Sequence, residues 1–489
     1  MLVVARVLAL GGWSTVGSGV MDENKVRPSS FSEALLSFET MERELGLSTW
    51  CIDGIMVWKL LRFEVFGSYL EAHGLKDVGH PDSKLKHSKL KILARVVSRL
   101  VFRNPFLDRP KNVTRIVMTV SRKRMHKGRF ADQVSLRAWA GSLEANSLVL
   151  DATSPSKPHQ LKNKPNGEVL LAFGWLLGRL RKFPLSEGDL LKIREVQKVL
   201  SEDLKISGHS LEKYLPRRVQ SFYGGTKAYR ALFRLTRPKA IYLVCSHDHE
   251  AAISAAQALG IETVEFQHGI MGRGHLGYDF KNWNDVPYFP DHIMAWGKDW
   301  FNTTSFPSRC RIHLVGAPHI VEAINEARIR VPRQPKTLLV LSQGDVRKKL
   351  LASVIEFANL RPDWTVKIRP HPSETSVDFM EEIQVIEPNN SIFIEVDSLR
   401  SLAEATSEAA VVFGSSSTSI FEAIEAGCRA VILWDSGLSS FIDHMIQRGE
   451  VQKVLSGRDL ADKIDNLPLS SRGKYFAPAI YDVVNLVED

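Results

Sequence analysis

Cysteine is scarce in this chain: four residues in 489, Cys51, Cys245, Cys310 and Cys428, far apart and matching no metal-binding spacing. That excludes a disulfide framework and suits a reducing, cytoplasmic compartment. No apolar run approaches the roughly 18 residues of a membrane span. Residues 1–10 are apolar but interrupted by Arg6 and lack a basic leader, so a signal peptide is not expected; Met21, followed by Asp-Glu-Asn-Lys, is an alternative start. Internal repeats and long low-complexity tracts are also missing, which argues against a solenoid. At this length a single core is excluded, and 44% hydrophobic residues suffice for two or three.

Acidic residues are nearly absent from one stretch. Residues 84–130 hold fifteen Lys/Arg against Asp108 alone, a local balance of +14 where the whole chain carries +9. Within it, Leu85, Ile92, Leu93, Val96, Val97, Leu100 and Val101 share one helical face, and His87, Lys91, Arg95, Arg99 and Arg103 form an i,i+4 stripe beside it. Such a helix either lies in an anionic membrane interface or packs on its own protein with a solvated basic face. The stripe has no interleaved aromatics, so nucleic acid is not an expected partner.

Three polar turns at strand ends carry the chemistry. In the last, the apolar run 409–413 reads as a buried strand and 420–426 as a helix closed by Gly427, leaving Gly414, Ser415, Ser416, Ser417, Thr418 and Ser419 at a helix N-terminus. Free backbone N–H groups, hydroxyls and the positive dipole end there favour a phosphate; simple capping accounts for one or two of the hydroxyls. Glu422 either accepts from a ribose or complements the helix dipole. In the middle turn, strand 364–368 runs into Arg369-Pro370-His371-Pro372, where two prolines stiffen the backbone and both basic side chains can donate to phosphate oxygens. In the first, strand 239–245, helix 250–259 and strand 262–266 form a βαβ unit, so the two strands are expected to be parallel. It delivers Gln267-His268-Gly269, with His268 at a strand's carboxyl end, in the titration range of a general base. His247-Asp248-His249 lies on one short turn with no distant partner, which is not a metal-ligand pattern, and no metal is expected.

The order HG turn, HP turn, Ser/Thr-rich turn and following EA..G helix resembles the GT-B glycosyltransferases of bacterial surface polysaccharides. It is most similar to the capsule-biosynthesis and CDP-glycerol glycerophosphotransferase-like group, and more distantly to bacterial sialyl- and polysialyltransferases. The resemblance covers roughly 116–464. It departs from the group at FGSSSTS, where an Asp within the serine motif is common, and at HGIMGRGH, where a longer HGTP-type turn is usual. It implies an α/β fold of two Rossmann-like domains facing a central cleft, a C-terminal domain that holds the nucleotide, and an N-terminal side chain that deprotonates the acceptor. On that basis His268 would be the base, with Asp248, Glu250 or Glu265 as acidic replacements. Arg369, His371, Gly414 and Ser415 to Thr418 would hold the donor phosphate, and Glu422 the ribose. Gln343 and Gly344, on a further polar strand end, would touch the donor, while Asp248, His275 and Tyr278 are acceptor-side candidates.

The implied activity is metal-independent transfer of a sugar, an acidic one included, or a glycerol-phosphate-like unit. A CMP- or CDP-activated donor would be a substrate, with no cofactor, and the acceptor a surface polysaccharide or lipid-linked glycan. A nucleotide-sugar epimerase and a non-catalytic assembly protein are the alternatives. The enzyme would be cytoplasmic, or peripheral on the inner membrane face.

The domains are expected at 1–112, helical and basic; 113–330, the acceptor domain; and 331–489, the donor domain, with a tail from Tyr475 that can cross back. Residues 31–75 read as helix-rich with an aromatic patch at Trp50, Trp58, Phe63 and Phe66. Residues 121–124 read as a basic loop, 154–167 as an exposed loop, and 328–336 as the linker.

Overall fold

The computed structural model describes residues 28, 30–75, 104–107, 109, 112–119, 123–126, 129–132, 139, 143, 146–151, 167–181, 183–206, 210–301, 304–343, 346–371, 374, 381–383, 394–397, 400–434, 442–469 and 471–488. The basic stretch 84–103, most of the loop at 154–167, and Gly344 lie outside them.

Two helices open the described chain, α1 (Phe31–Glu44) and α2 (Val57–Ala72). Ser30 caps α1 by accepting from the Glu33 N–H at 3.2 Å. Trp50, Trp58 and Phe66 of the aromatic patch are buried in a core shared with the later helices α4 (Glu187–Glu202) and α5 (Leu211–Thr236), whereas Phe63 remains 40% exposed.

The first sheet contains β1 (Arg115–Met118), β2 (Ser147–Leu150), β3 (Ala240–Leu243), β4 (Glu262–Phe266), β5 (His292–Ala295) and β6 (Arg311–Leu314), in the order β2-β1-β3-β4-β5-β6. Every pairing is parallel. The connections include α3 (Glu168–Arg179), α4 and α5 between β2 and β3, and α6 (Glu250–Gln257) between β3 and β4.

After α7 (Pro318–Arg330) comes the second sheet: β7 (Gln334–Leu341), β8 (Thr365–Arg369), β9 (Ile394–Val396), β10 (Ala409–Gly414), β11 (Arg429–Leu433) and β12 (Gln452–Val454). Its order is β9-β8-β7-β10-β11-β12, again wholly parallel. That is the dinucleotide-binding order of doubly wound sheets, with its reversal between β7 and β10. The α/β expectation of two Rossmann-like halves is met. Helices α8 (Arg347–Leu360), α9 (Leu402–Glu408), α10 (Thr418–Ala426), α11 (Asp443–Gln447) and α12 (Gly457–Lys463) accompany this sheet.

Period-two alternation explains the layering. Leu338, Val340, Val411 and Phe413 face the cluster of α8 and α12, while Leu339, Leu341 and Val412 face that of α9 and α10. In the first sheet Ile116, Met118, Ile241 and Leu243 pack on α5 and α6, and Val117, Val149, Tyr242 and Val264 on Trp139 and on Val483 and Val484. Those two valines come from the C-terminal tail. The tail is tied to the first sheet by the Ala477 N–H donating to the Trp296 carbonyl at 2.7 Å, and by a bidentate Arg115–Glu488 pair at 2.9 and 3.0 Å.

Two local readings change. Lys123–His126 is not a basic loop but one strand of an antiparallel ribbon with Arg129–Asp132. The linker shrinks to 331–333, because α7 continues through Arg330 and β7 begins at Gln334. Pro335 is tolerated at the exposed start of β7, where the register with β10 shifts between Gln334 and Leu338. Among the described residues, no helix is long and apolar enough to cross a membrane.

Candidate active site

The serine turn sits at the carboxyl end of β10, beside the end of β7, at the point where the strand order reverses. Helix α10 starts at Thr418, two residues earlier than its apolar pattern suggests, and Ser417 caps it by accepting from the Ser419 N–H at 3.3 Å. Ser416 is committed across the switch point: its N–H donates to Gln343 Oε1 at 3.3 Å and its Oγ accepts from Gln343 Nε2 at 3.1 Å. Ser415 is fully buried, and its Oγ has no hydrogen-bond partner among the described residues. Gly414 closes β10, and Glu422 lies on the partly exposed face of α10. Helix α10 is held from the other half of the protein, where the Trp300 ring stacks on Phe421 at 4.0 Å.

The HP turn follows β8. The Arg369 Nη1 donates to the carbonyls of Asp397, at 3.3 Å, and Arg400, so its guanidinium ties the turn to the end of β9. The fork expected for phosphate is at least partly turned away from it. His371 is partly buried, and its backbone N–H donates to Glu374 Oε2 at 2.7 Å.

The HG turn follows β4 and meets the serine turn. A Cβ on Gly269 would stand 3.5 Å from Thr418 Oγ1, so the first-domain backbone runs in contact with the start of α10. The HG turn of the first sheet thus meets the serine turn of the second, while the HP strand end is linked to them through β7, where the Ser342 N–H, next to Gln343, donates to the Arg369 carbonyl at 3.0 Å. Beside Gly269, the His268 Nε2 lies 3.2 Å from Cys245 Sγ at the end of β3.

Glu265 does not reach this surface. It is fully buried, accepts from the Ser246 N–H at 3.1 Å and from the Tyr278 hydroxyl, and has its second oxygen unpartnered among the described residues. Burial pushes its carboxyl up to about 7 against the pull of those donors, and drives the Tyr278 hydroxyl well above its usual range. Its position is that of a group that fixes the β3 turn and Tyr278. Glu250 is also structural, buried at the start of α6 in ion pairs with Lys59 at 3.0 Å and Arg218 at 3.1 Å.

Both Glu250 and Asp248, the more exposed of the two, line a cavity of about 310 Å³, together with His247, Phe63, Glu64, Lys59 and Arg218. His275 flanks it, its ring stacked on Phe63 at 5.0 Å, and burial pushes the imidazole down to about 4. The long loop after the HG turn is pinned to α1 and α2: Asp279 accepts from Arg273 and from the Gly274 N–H at 3.0 Å, and Arg273 pairs with Glu39 at 2.7 Å. Gly274, at φ +85°, abuts Phe31 so closely that a Cβ would stand 2.6 Å from its ring.

Cys245, Lys59, Phe63 and Arg218 were not selected from the sequence as site residues. Cys245 stands two residues before His247 of the His247-Asp248-His249 cluster, but no spacing rule joins it to His268; the other three come from α2 and α5, distant in sequence from the turns.

The Glu265 environment gives a pH signature. Below about pH 4.5 the carboxyl is protonated whether the chain is folded or not. Between there and about 7 only the unfolded chain ionises, so the folded state holds the extra proton and loses stability as pH rises. Glu265→Gln, which keeps the acceptor oxygen, is expected to match wild type in acid and to exceed it above pH 7 by on the order of 3 kcal/mol. The neighbouring imidazoles titrate in both proteins and cancel in the difference. Denaturation across pH 4.5–8 checks this; a difference independent of pH contradicts the buried-acid assignment.

No family model matches the chain, and no curated protein matches it. Among solved structures it is similar to the UDP-GlcNAc 2-epimerase of Methanocaldococcus jannaschii in complex with UDP-GlcNAc and UDP, at 12% identity over 59% of this chain and 87% of that one, TM-score 0.38. It is also similar to MurG of Acinetobacter baumannii, at 14% identity over 51% and 70%, TM-score 0.36. A third is the glycotransferase of kitacinnamycin, at 11% identity over 74% and 91%, TM-score 0.41.

Proposed function

We propose that this protein is a glycosyltransferase that moves a sugar, or a glycerol-phosphate-like unit, from a nucleotide-activated donor to a surface-polysaccharide or lipid-linked glycan acceptor. One observation carries the reading: a Ser/Thr-rich turn and helix start at the switch point of the second sheet, touched by the HG turn of the first. A donor phosphate would meet the Ser415 to Thr418 turn and the start of α10, where backbone N–H groups and the helix dipole favour negative charge. Gln343 and His371 would flank it and Glu422 would take the ribose. Arg369 would act mainly by holding the HP turn. This donor-side charge stabilisation uses no metal.

The acceptor would occupy the cavity under α2, with the exposed Phe63 ring as a platform for a sugar face and Asp248 and Arg218 as polar contacts. His268 would take the acceptor's hydroxyl proton. For a sugar, a new C–O bond would form as the bond from the transferred carbon to the phosphate oxygen breaks; for a glycerol-phosphate-like unit, the hydroxyl oxygen would attack phosphorus and the phosphoanhydride bond would break. In either case the nucleotide would leave with the electron pair. In-line attack would invert the reacting centre. The resemblance favours a CMP- or CDP-activated donor, and the basic stretch 84–103 suits an acceptor held at an anionic membrane surface.

The test is a thermal-shift series with CMP, CDP, UDP, GDP and ADP on wild type and His371→Ala. One nucleotide class is expected to raise the midpoint selectively, worth about 2.7 kcal/mol at a hundredfold excess over Kd, with the rise reduced in the variant. Failure of every nucleotide would leave an assembly protein with an idle cleft, and acceptor-free conversion of the donor to an epimer would replace transfer by epimerisation.

A further inference from the structure

The turn after β3 gathers metal-ligating atoms. Cys245, His247 and Asp248 each offer one ligand atom, and the three lie within 4.8 Å of one another. The turn is shaped for this grouping. Cys245 adopts a left-handed conformation, φ 61° and ψ 71°, which a side chain with a Cβ rarely takes, and a short 3₁₀ turn follows at Ser246–Asp248. Its fold is held from below by Glu265, which accepts from the Ser246 N–H.

The donor set is one sulfur, one imidazole nitrogen and one carboxylate oxygen. That mixture suits Zn²⁺ or Co²⁺ and is wrong for Mg²⁺ or Ca²⁺, which take oxygen ligands. The His247 Nδ1 is buried and has no hydrogen-bond partner among the described residues. Lys59, the nearest cation on α2, is paired with Glu250 at 3.0 Å, which reduces its opposition to a bound cation. Three protein ligands with one open position is the pattern of catalytic rather than structural zinc. His247 and Asp248 also line the cavity of about 310 Å³, so a hydroxyl in that cavity stands beside the site.

We infer that Cys245, His247 and Asp248 bind a divalent ion of the Zn²⁺ class, the Cys245 thiol losing its proton to solvent on binding. The ion serves the acceptor side only. An acceptor hydroxyl at the open position becomes more acidic, and its proton passes to His268. This role rests on the transferase reading, but ion binding does not.

The experiment uses the full chain, stripped with chelator and titrated with Co²⁺ alone. A thiolate-to-cobalt charge-transfer band in the near ultraviolet is expected, saturating at one ion per chain and displaced by Zn²⁺. Cys245→Ser is expected to abolish the band, and Asp248→Asn, at the exposed rim, to weaken binding by roughly 100-fold or more while leaving the fold intact. Cys51→Ser controls for the one exposed cysteine and is expected to keep the band. Absence of the band in wild type, or its persistence in Cys245→Ser, overturns the inference. Either result leaves the nucleotide experiment untouched, since that reads the second sheet.

Discussion

His268→Ala is expected to lower acceptor-dependent turnover by about 10²–10⁴-fold, the usual worth of a positioned general base. The residue stands on the HG turn, at the carboxyl end of β4, one position before the glycine whose backbone meets Thr418. Because it belongs to the first sheet and the serine turn to the second, the variant should keep the nucleotide-induced thermal shift. The informative measurement is therefore paired: nucleotide release with acceptor present, and stabilisation by nucleotide alone. A loss below tenfold with donor binding intact would remove His268 from the chemistry. Asp248 would then be the surviving acid on the acceptor side, because Glu265 is sealed in the core and Glu250 is held by two cations.

Arg62→Ala is expected to cost about 3–5 kcal/mol of stability, the range for breaking a buried ion pair from one side. Arg62 is 1% exposed and forks onto both oxygens of Glu42 at 2.9 Å. Its remaining nitrogen donates to the carbonyls of Leu276 and Asp279 at 3.0 and 2.8 Å, and its plane lies over Phe280 and Trp283 at 5.0 and 4.9 Å. Truncation would leave the Glu42 carboxylate buried with the Trp58 N–H, at 2.6 Å, as its one remaining donor among the described residues, and strand two carbonyls. Lysine cannot reproduce the fork, so Arg62→Lys should recover a minor part. Replacing both charges, Arg62→Met with Glu42→Leu, should recover more, yet not all, because the carbonyls and the Trp58 N–H stay unsatisfied. Chemical denaturation measures each step; a loss under about 1 kcal/mol for Arg62→Ala would contradict the assignment. The function should follow the fold. Residue 62 clamps α2 to the loop after the HG turn, and α2 carries Lys59 and Phe63 into the cavity, so the variant should weaken acceptor use before donor binding.

Both effects depend on contacts between segments far apart in the chain, and here the sequence reading was uneven. The apolar run at 409–413 was legible because a strand buried on both faces needs continuous hydrophobicity, whereas 262–266, Glu-Thr-Val-Glu-Phe, was legible from its place between a helix closed by Gly260 and the HG turn; the other turns were legible because helix starts and proline-stiffened strand ends have local chemistry. The linker was over-read because proline is a turn signal in sequence but is tolerated at an exposed strand start. The ribbon at 123–132 was missed because its four-residue strands are charged and show no buried face to a periodicity argument.

By itself the sequence determined the parallel α/β character, the three polar strand ends, and the segregation of basic charge into 84–130. Each follows from local patterns: side-chain period, capping chemistry and composition. Only the tertiary structure decided which groups act together. It brought Gly269 against Thr418, seated Ser416 on Gln343 across the strand reversal, and turned Arg369 onto the end of β9. It buried Glu265 beneath the turn that it had seemed able to serve as a base, and set Cys245 beside His247, Asp248 and His268. Those outcomes depend on strand order, on the left-handed turn at Cys245 and on which helix covers which sheet edge. None of these has a signature in nearest-neighbour spacing, because the partners belong to different strands whose adjacency is set by packing.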